Sequence, residues 1–192
     1  MLTVEVDFDS VEGRLARGEL SCPACAGRLG PWGWARRRSL RARDGSTLTV
    51  TPRRSRCSLC LTTHVLLPAV ALLRRADLAD VIGAALAAKA RGSGARTVAT
   101  LLGRPVDTVR GWSRRFGARA EDIRRFFVQL LVDVAPDPVV PAVAGSPFAD
   151  AVAAVVGAAV AISARWTQLG EVPVWQAACA ATQGRLLSPS WP

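Results

Sequence analysis

Four of the five cysteines occur in two short pairs, Cys22-Pro-Ala-Cys25 and Cys57-Ser-Leu-Cys60. A turn with two residues between its thiols directs both sulfurs at one ion, and two such turns complete the tetrahedron that structural zinc prefers. The spacing therefore predicts a structural Zn²⁺ site with Cys22, Cys25, Cys57 and Cys60 as ligands. Redox-active thiols are the alternative interpretation of the same four residues.

Two further residues have metal-binding chemistry. His64 follows Cys60 by four residues, where it can replace a thiolate or simply pack beside an apolar strand. The sequence leaves both interpretations of His64 open. Cys179 lies in an alanine-rich segment, and we expect it to be a small core residue.

The chain is strongly basic, with a formal net charge of +10 over 192 residues. The positive charge is concentrated in residues 22–56, with a net charge of +8, and in residues 89–125, with a net charge of +7. Two such segments favour a polyanionic partner, and double-stranded DNA is the partner that we predict. In the first segment the predicted phosphate-binding residues are Arg36, Arg37, Arg38, Arg53 and Arg54, in a basic run that also holds Arg41, Arg43 and Arg56. Trp32 and Trp34 lie nearby, and we expect them to cover a small core.

The second basic segment contains residues 95–114, which resemble the helix-turn-helix of bacterial DNA-binding proteins. Ala99 supplies a small residue where the helices cross, and Gly103 supplies the turn. The residues expected to pack the two helices together are Val98, Leu102, Val109 and Trp112, and those expected to face outward are Val106, Asp107, Arg110, Gly111 and Arg114. The predicted DNA contacts are Arg96, Thr108, Arg110, Arg114 and Arg115. An ordinary helical hairpin is the alternative.

Two residues depart from the helix-turn-helix pattern. Arg104 occupies a position that is usually apolar, and Pro105 replaces the usual capping serine. Both residues lie in the turn, so they bear on its geometry.

Turn and periodicity signals predict an α+β protein: a small N-terminal β zinc ribbon, a mostly α-helical helix-turn-helix domain, and C-terminal helices. The predicted elements are a strand at 2–6, a helix at 11–17 capped by Ser10, strands at 29–40 and 47–51 around Asp44-Gly45, and helices at 75–90, 120–134, 147–166 and 173–184. We divide the chain into residues 1–66 (N-terminal strand, helix and ribbon), 67–134 (DNA-binding domain), 135–146 (proline-rich linker) and 147–192 (alanine-rich helices).

The combination of CPAC, the arginine-rich hairpin, RRSRCSLC and the helix-turn-helix resembles the N-terminal region of bacterial insertion-sequence transposases over roughly residues 20–135. It is also similar to stand-alone actinobacterial helix-turn-helix proteins of uncharacterised function. In those transposases the ribbon and helix-turn-helix bind terminal repeats, whereas a later RNase H-like domain holds catalytic metals. The acids after Ile123 are too scattered to build such a site, so the resemblance implies DNA binding without cleavage.

We therefore expect a non-enzymatic, sequence-specific DNA-binding protein that acts as a transposon-associated accessory factor or a transcriptional regulator. The alternative is an adaptor that docks a transposase or polymerase. The C-terminal helices are expected to pair protomers in a homodimer or bind a protein partner. The acidic N-terminal residues are unlike a secretory signal, and the apolar run 151–164 is shorter than the about 18 residues of a membrane span, so we expect a cytoplasmic, nucleoid-associated protein without membrane contact.

Overall fold

The structure, a computed structural model, describes residues 1–189 and Trp191. Strands occupy the N-terminal third and helices most of the rest. The strands are β1 (Leu2–Val4), β2 (Leu29–Trp34), β3 (Arg38–Arg41), β4 (Thr47–Val50), β5 (Arg53–Cys57) and β6 (Thr63–Pro68). The helices are α1 (Phe8–Arg17), α2 (Ala79–Ala90), α3 (Ala95–Leu102), α4 (Val106–Gly117), α5 (Ala120–Val134), α6 (Pro147–Arg165) and α7 (Val174–Ala181), with a short 3₁₀ helix at Thr167–Leu169. This is the predicted α+β class.

A four-stranded sheet in the order β1-β6-β5-β2 forms the N-terminal unit. Strand β5 pairs antiparallel with both β2 and β6, and β1 pairs parallel with β6. Helix α1 packs on one face of this sheet, where Val11 and Leu15 join Leu29 and Leu66 in a small apolar cluster. That cluster also contains Cys22 and Cys57, so the candidate metal ligands lie at the edge of a packed core.

The start of α1 differs from the sequence prediction. We expected Ser10 to cap a helix that begins at Val11, but α1 begins at Phe8. The Asp7 side chain accepts a hydrogen bond of 2.8 Å from the Ser10 amide and is therefore the capping group.

Strands β3 and β4 form a separate two-stranded antiparallel hairpin. Its turn contains Asp44 and Gly45 as predicted, with Gly45 at a φ of +85°. The turn is longer than the two-residue turn that this signal predicts, because the last hydrogen bond before it joins the Ala42 amide to the Ser46 carbonyl. Leu40 of β3 is fully buried against Leu67 and Ala71. Leu66 faces α1 and Leu67 faces the hairpin, because successive strand residues point to opposite faces. The hairpin therefore lies on the other side of the main sheet from α1.

Helix α2 begins at Ala79, four residues later than the predicted Arg75. Residues 76–78 instead lie alongside the end of β3. There the Arg41 amide donates a hydrogen bond to the Ala76 carbonyl, and the Arg41 carbonyl accepts one from the Leu78 amide. These two bonds hold the segment in an extended conformation, and the helix starts only after they end.

Helices α2 to α7 share one apolar core. The bounds of α5 are as predicted, and α6 begins after Ser146, whose hydroxyl accepts a hydrogen bond from the Ala149 amide. Because α6 packs along α5 and the buried Cys179 of α7 lies in the same core, intramolecular packing accounts for part of the apolar composition of the C-terminal helices. Val156 and Val160 of α6 remain exposed. The four-part division of the chain and the pairing of protomers stay predictions.

Helix α6 has 19 residues and a mean hydropathy of 1.8, so its length and composition suffice to cross a membrane. The helix is longer than the charge-free run 151–164 that the sequence analysis considered. Buried residues make up 44% of its most apolar stretch, and they face α5 and the core. The core helices of globular proteins have the same length and composition, so this observation is weak evidence for a membrane span.

Candidate functional site

The four predicted cysteine ligands converge. The sulfurs of Cys22, Cys25, Cys57 and Cys60 all lie within 4.8 Å of one another. Those of Cys22 and Cys60 are 3.7 Å apart, and those of Cys25 and Cys57 are 3.4 Å apart. A tetrahedron with metal–sulfur bonds of about 2.3 Å has edges of about 3.8 Å. The cluster therefore fits one tetrahedral metal ion.

The two cysteine turns have the same backbone geometry. The Cys22 amide donates to the Gly27 carbonyl at 2.8 Å, and the Cys57 amide donates to the equivalent Thr62 carbonyl at 3.0 Å. The residue after the second cysteine has a positive φ in both turns, +59° at Ala26 and +60° at Leu61. Side chains other than glycine seldom adopt this conformation. Two matching strained turns are typical of paired metal knuckles.

Neighbouring groups shift the pKa values of Cys60 and Cys25 in opposite directions. Hydrogen bonds from the Thr62 side chain and backbone lower the pKa of Cys60 to about 6. At Cys25 the Gly27 amide lowers the pKa, but the thiols of Cys57 and Cys60 raise it to about 11. Four negative sulfurs at these separations repel one another unless a cation lies between them. The donor set thus matches a cation.

Gly27 allows the first cysteine turn, Cys22–Cys25, to approach the second, Cys57–Cys60. A Cβ atom at this position would lie 2.8 Å from the Cys57 sulfur and 2.9 Å from the Leu59 side chain. The sequence analysis did not single out this glycine, because the atoms that leave no room for a side chain at Gly27 belong to the second cysteine turn.

His64 is buried directly behind one ligand. Its Nε2 lies 3.3 Å from the Cys22 sulfur, and its Nδ1 lies 3.0 Å from the Met1 amino group. The four-sulfur cluster is complete without His64. An imidazole N–H that donates to a ligand sulfur fixes the direction of that ligand.

The predicted phosphate-binding residues of the ribbon fall into two groups. Arg36, Arg37 and Arg54 are exposed. Arg38 is half-buried and donates hydrogen bonds to the carbonyls of Leu72 and Arg75, at 3.3 and 2.8 Å. It thereby connects the hairpin to the loop between β6 and α2.

Arg53 likewise makes contacts within the fold. It donates to Glu12 at 2.6 Å and to the Gly33 carbonyl at 2.8 Å, and its guanidinium lies 4.5 Å from the centre of the Trp34 ring. Arg56 covers Trp32 in the same way, at 4.5 Å. The two tryptophans are about half exposed, at 53% for Trp32 and 49% for Trp34, so our expectation that they cover a core was wrong.

Helices α3 and α4, the predicted helix-turn-helix pair, pack together through the residues expected to be buried. α3 ends at Gly103, which has a φ of +59° and lets the chain turn into α4. The predicted packing residues are buried, namely Val98, Ala99, Leu102, Val109 and Trp112. The prediction that Gly111 faces outward was wrong: it is buried, and the Arg115 guanidinium lies over it and donates to its carbonyl at 3.0 Å. Val106 is half-buried.

The outer face of α4 is open in the described part of the chain. The Arg110 side chain is 56% exposed and contacts Asp107 at 3.2 Å, while the Asp107 side chain is 91% exposed. Arg114 is also exposed, Thr108 is half-buried, and Arg96 lies exposed on α3. A basic helical face is therefore available for binding.

Arg104 has a structural role that the sequence analysis missed. Its side chain is 6% exposed, and its Nε donates at 2.5 Å to Asp77, whose side chain is 3% exposed. Its Nη2 donates at 2.6 Å to the Ala42 carbonyl in the hairpin turn, and Arg41 binds the other Asp77 oxygen at 3.0 Å. We call these three charged residues, Arg41, Asp77 and Arg104, the latch. The latch joins the turn between α3 and α4 to the β3–β4 hairpin.

Residues 22–102 match a family described as a domain of unknown function (DUF6431). The match begins at the first cysteine ligand and ends at the last residue of α3. It covers the cysteine cluster, the hairpin and two of the three latch residues, Arg41 and Asp77, and it stops before Arg104 and α4. No curated protein matches the chain, and no solved structure does either.

Proposed function

We propose that this protein binds a specific double-stranded DNA sequence through the exposed face of α4, on a scaffold held together by a structural zinc ion. The proposed activity is binding, with no chemistry on the DNA. One observation carries the proposal: α4 buries Val109, Trp112 and Phe116, while Arg110 and Arg114 project from its open face.

The choice of zinc rests on the donor set. Four cysteine sulfurs in a tetrahedral arrangement favour zinc over the hard cations that prefer oxygen ligands. When bound, the ion links the turn before β2 to the turn after β5. The sequence separation of these turns makes such a cross-link stabilising for a small sheet.

The reading of bases rests on side-chain chemistry. Arg110 and Arg114 are one helical turn apart, and each guanidinium matches the O6 and N7 acceptors of guanine in a major groove. The exposed cations Arg36, Arg37, Arg54 and Arg96 would add phosphate contacts, whereas Arg38 and Arg53 are occupied within the fold.

The test is selection of bound duplexes from a random DNA pool, followed by affinity measurements on an Arg110→Ala/Arg114→Ala double variant. Each lost guanidinium–guanine contact costs about 1–3 kcal/mol, so we expect a loss of about 30-fold or more for the selected site. The matched control is Arg124→Ala/Arg125→Ala, which removes two arginines that pair with Glu121 on α5.

An unchanged affinity of the Arg110→Ala/Arg114→Ala variant, with its thermal unfolding also unchanged, would refute base reading by α4. That result would favour a protein-binding adaptor. A palindromic selected site would support a dimeric transcriptional regulator, and a single asymmetric site would support recognition of a mobile-element end.

A further inference from the structure

The turn of the β3–β4 hairpin is bonded to the segment that leads into α4. The contact is the 2.6 Å hydrogen bond from Arg104 to the Ala42 carbonyl. Arg43 follows Ala42 directly, and Val106, the first residue of α4, follows Arg104 by two residues. One residue spans at most about 3.6 Å of chain, so the hairpin turn and the first turn of α4 are separated by no more than the length of the Arg104 side chain and about two residues.

This placement is rigid for a physical reason. Asp77 is buried between Arg104 and Arg41, so one carboxylate holds a residue from the hairpin and a residue from the helical turn. Leu40 anchors the same hairpin in an apolar cluster with Leu67. A loop held by a buried ion pair and a buried leucine keeps its position relative to α4.

Arg43 is the cation that this arrangement presents to solvent. It is exposed in the hairpin turn, and within residues 1–189 and Trp191 the structure gives it no acid, carbonyl or aromatic partner. Its neighbour Arg41 differs, because it binds Asp77.

We propose that the β3–β4 hairpin is a second DNA-contacting element, in which Arg43 binds a phosphate that flanks the groove occupied by α4. The inference rests on the proposed function of α4. A major groove is about 12 Å wide, so an element fixed beside the N-terminal end of a helix in that groove meets the sugar–phosphate strand at its edge. Arg43 then sets the position of α4 along the duplex without reading bases.

The test measures the affinity of Arg43→Ala for the selected site over a range of salt concentrations. A plot of log affinity against log salt concentration has a negative slope, and loss of one phosphate contact makes that slope shallower by about 0.9. We also expect affinity to fall several-fold with no change in the preferred sequence. The control is Arg17→Ala on α1, which removes an exposed arginine on the opposite face of the sheet. Arg17→Ala should leave both slope and affinity unchanged.

A second measurement locates the contact. Ethylation of single phosphates should interfere with binding of the unsubstituted protein at one position beside the α4 footprint, and Arg43→Ala should abolish that interference alone. If Arg43→Ala changes neither the salt slope nor the interference pattern, the inference is overturned. The proposed function would then still stand if Arg110→Ala/Arg114→Ala weakens binding. Failure of the unsubstituted protein to enrich any duplex would overturn both.

Discussion

The substitution Arg104→Met tests whether the latch holds the helical pair to the hairpin. Methionine retains much of the aliphatic length of arginine but removes every donor. Among the residues that the structure describes, the Asp77 carboxylate would keep Arg41 as its one ion-pair partner, and the Arg41 side chain is 45% exposed. The carbonyls of Leu102, Gly103 and Ala42 would also lose hydrogen bonds.

The expected cost follows from burial. Both Asp77 and Arg104 are almost inaccessible to solvent, at 3% and 6% side-chain exposure, and removal of one partner of a buried ion pair typically costs about 3–5 kcal/mol. For a chain of this size each kcal/mol lowers the melting temperature by about 2–4 °C. We therefore expect Arg104→Met to lower it by about 6–20 °C.

The assay is thermal unfolding of the metal-loaded protein, followed by circular dichroism and by tryptophan fluorescence. Arg110→Met is the matched control, because its ion pair with Asp107 is exposed and contributes at most about 1 kcal/mol. The double variant Asp77→Ala/Arg104→Met should be less destabilised than the sum of its single variants, since it removes the buried carboxylate that Arg104→Met leaves with Arg41 alone. Equal melting temperatures for Arg104→Met and Arg110→Met would refute the reasoning.

Two further predictions concern packing and the metal centre. A Cβ atom at Gly83 would overlap the Trp175 ring, so Gly83→Ala should destabilise the helical core by about 1–3 kcal/mol, whereas Gly13→Ala meets only a flexible arginine end and should be neutral or slightly stabilising in chemical denaturation. A similar effect of both glycine variants would contradict the close packing of Trp175 against α2. Cys57→Ala should lose the zinc, measured by elemental analysis, because three thiolates leave the tetrahedron open, while Cys179→Ala should retain about one zinc per chain. Full zinc retention by Cys57→Ala would exclude the four-cysteine site.

Local signals account for what the sequence predicted well. A cysteine turn, a glycine at positive φ and an apolar stripe with helical period are each decided by residues a few positions apart. The two CxxC pairs, the Asp44-Gly45 hairpin and the bounds of α5 were therefore predicted correctly.

Some of the errors and omissions have a different cause. The start of α2 and the engagement of Arg38 and Arg53 within the fold depend on contacts made after folding. Arg53 donates a hydrogen bond to Glu12, which is 41 positions away in the sequence, and Arg38 donates one to the Arg75 carbonyl, which is 37 positions away. No pattern in a local window contains such partners.

The sequence by itself determined which residues can bind a metal ion and which helix carries an open basic face, because thiol spacing and helical periodicity are local properties. Only the tertiary structure decided where that helix lies relative to the hairpin. Arg104 was an unexplained departure from a motif in the sequence, and it became intelligible once Asp77, 27 positions away, and Ala42, 62 positions away, were found against it. A buried charge requires partners, and folding brings those partners from distant parts of the chain.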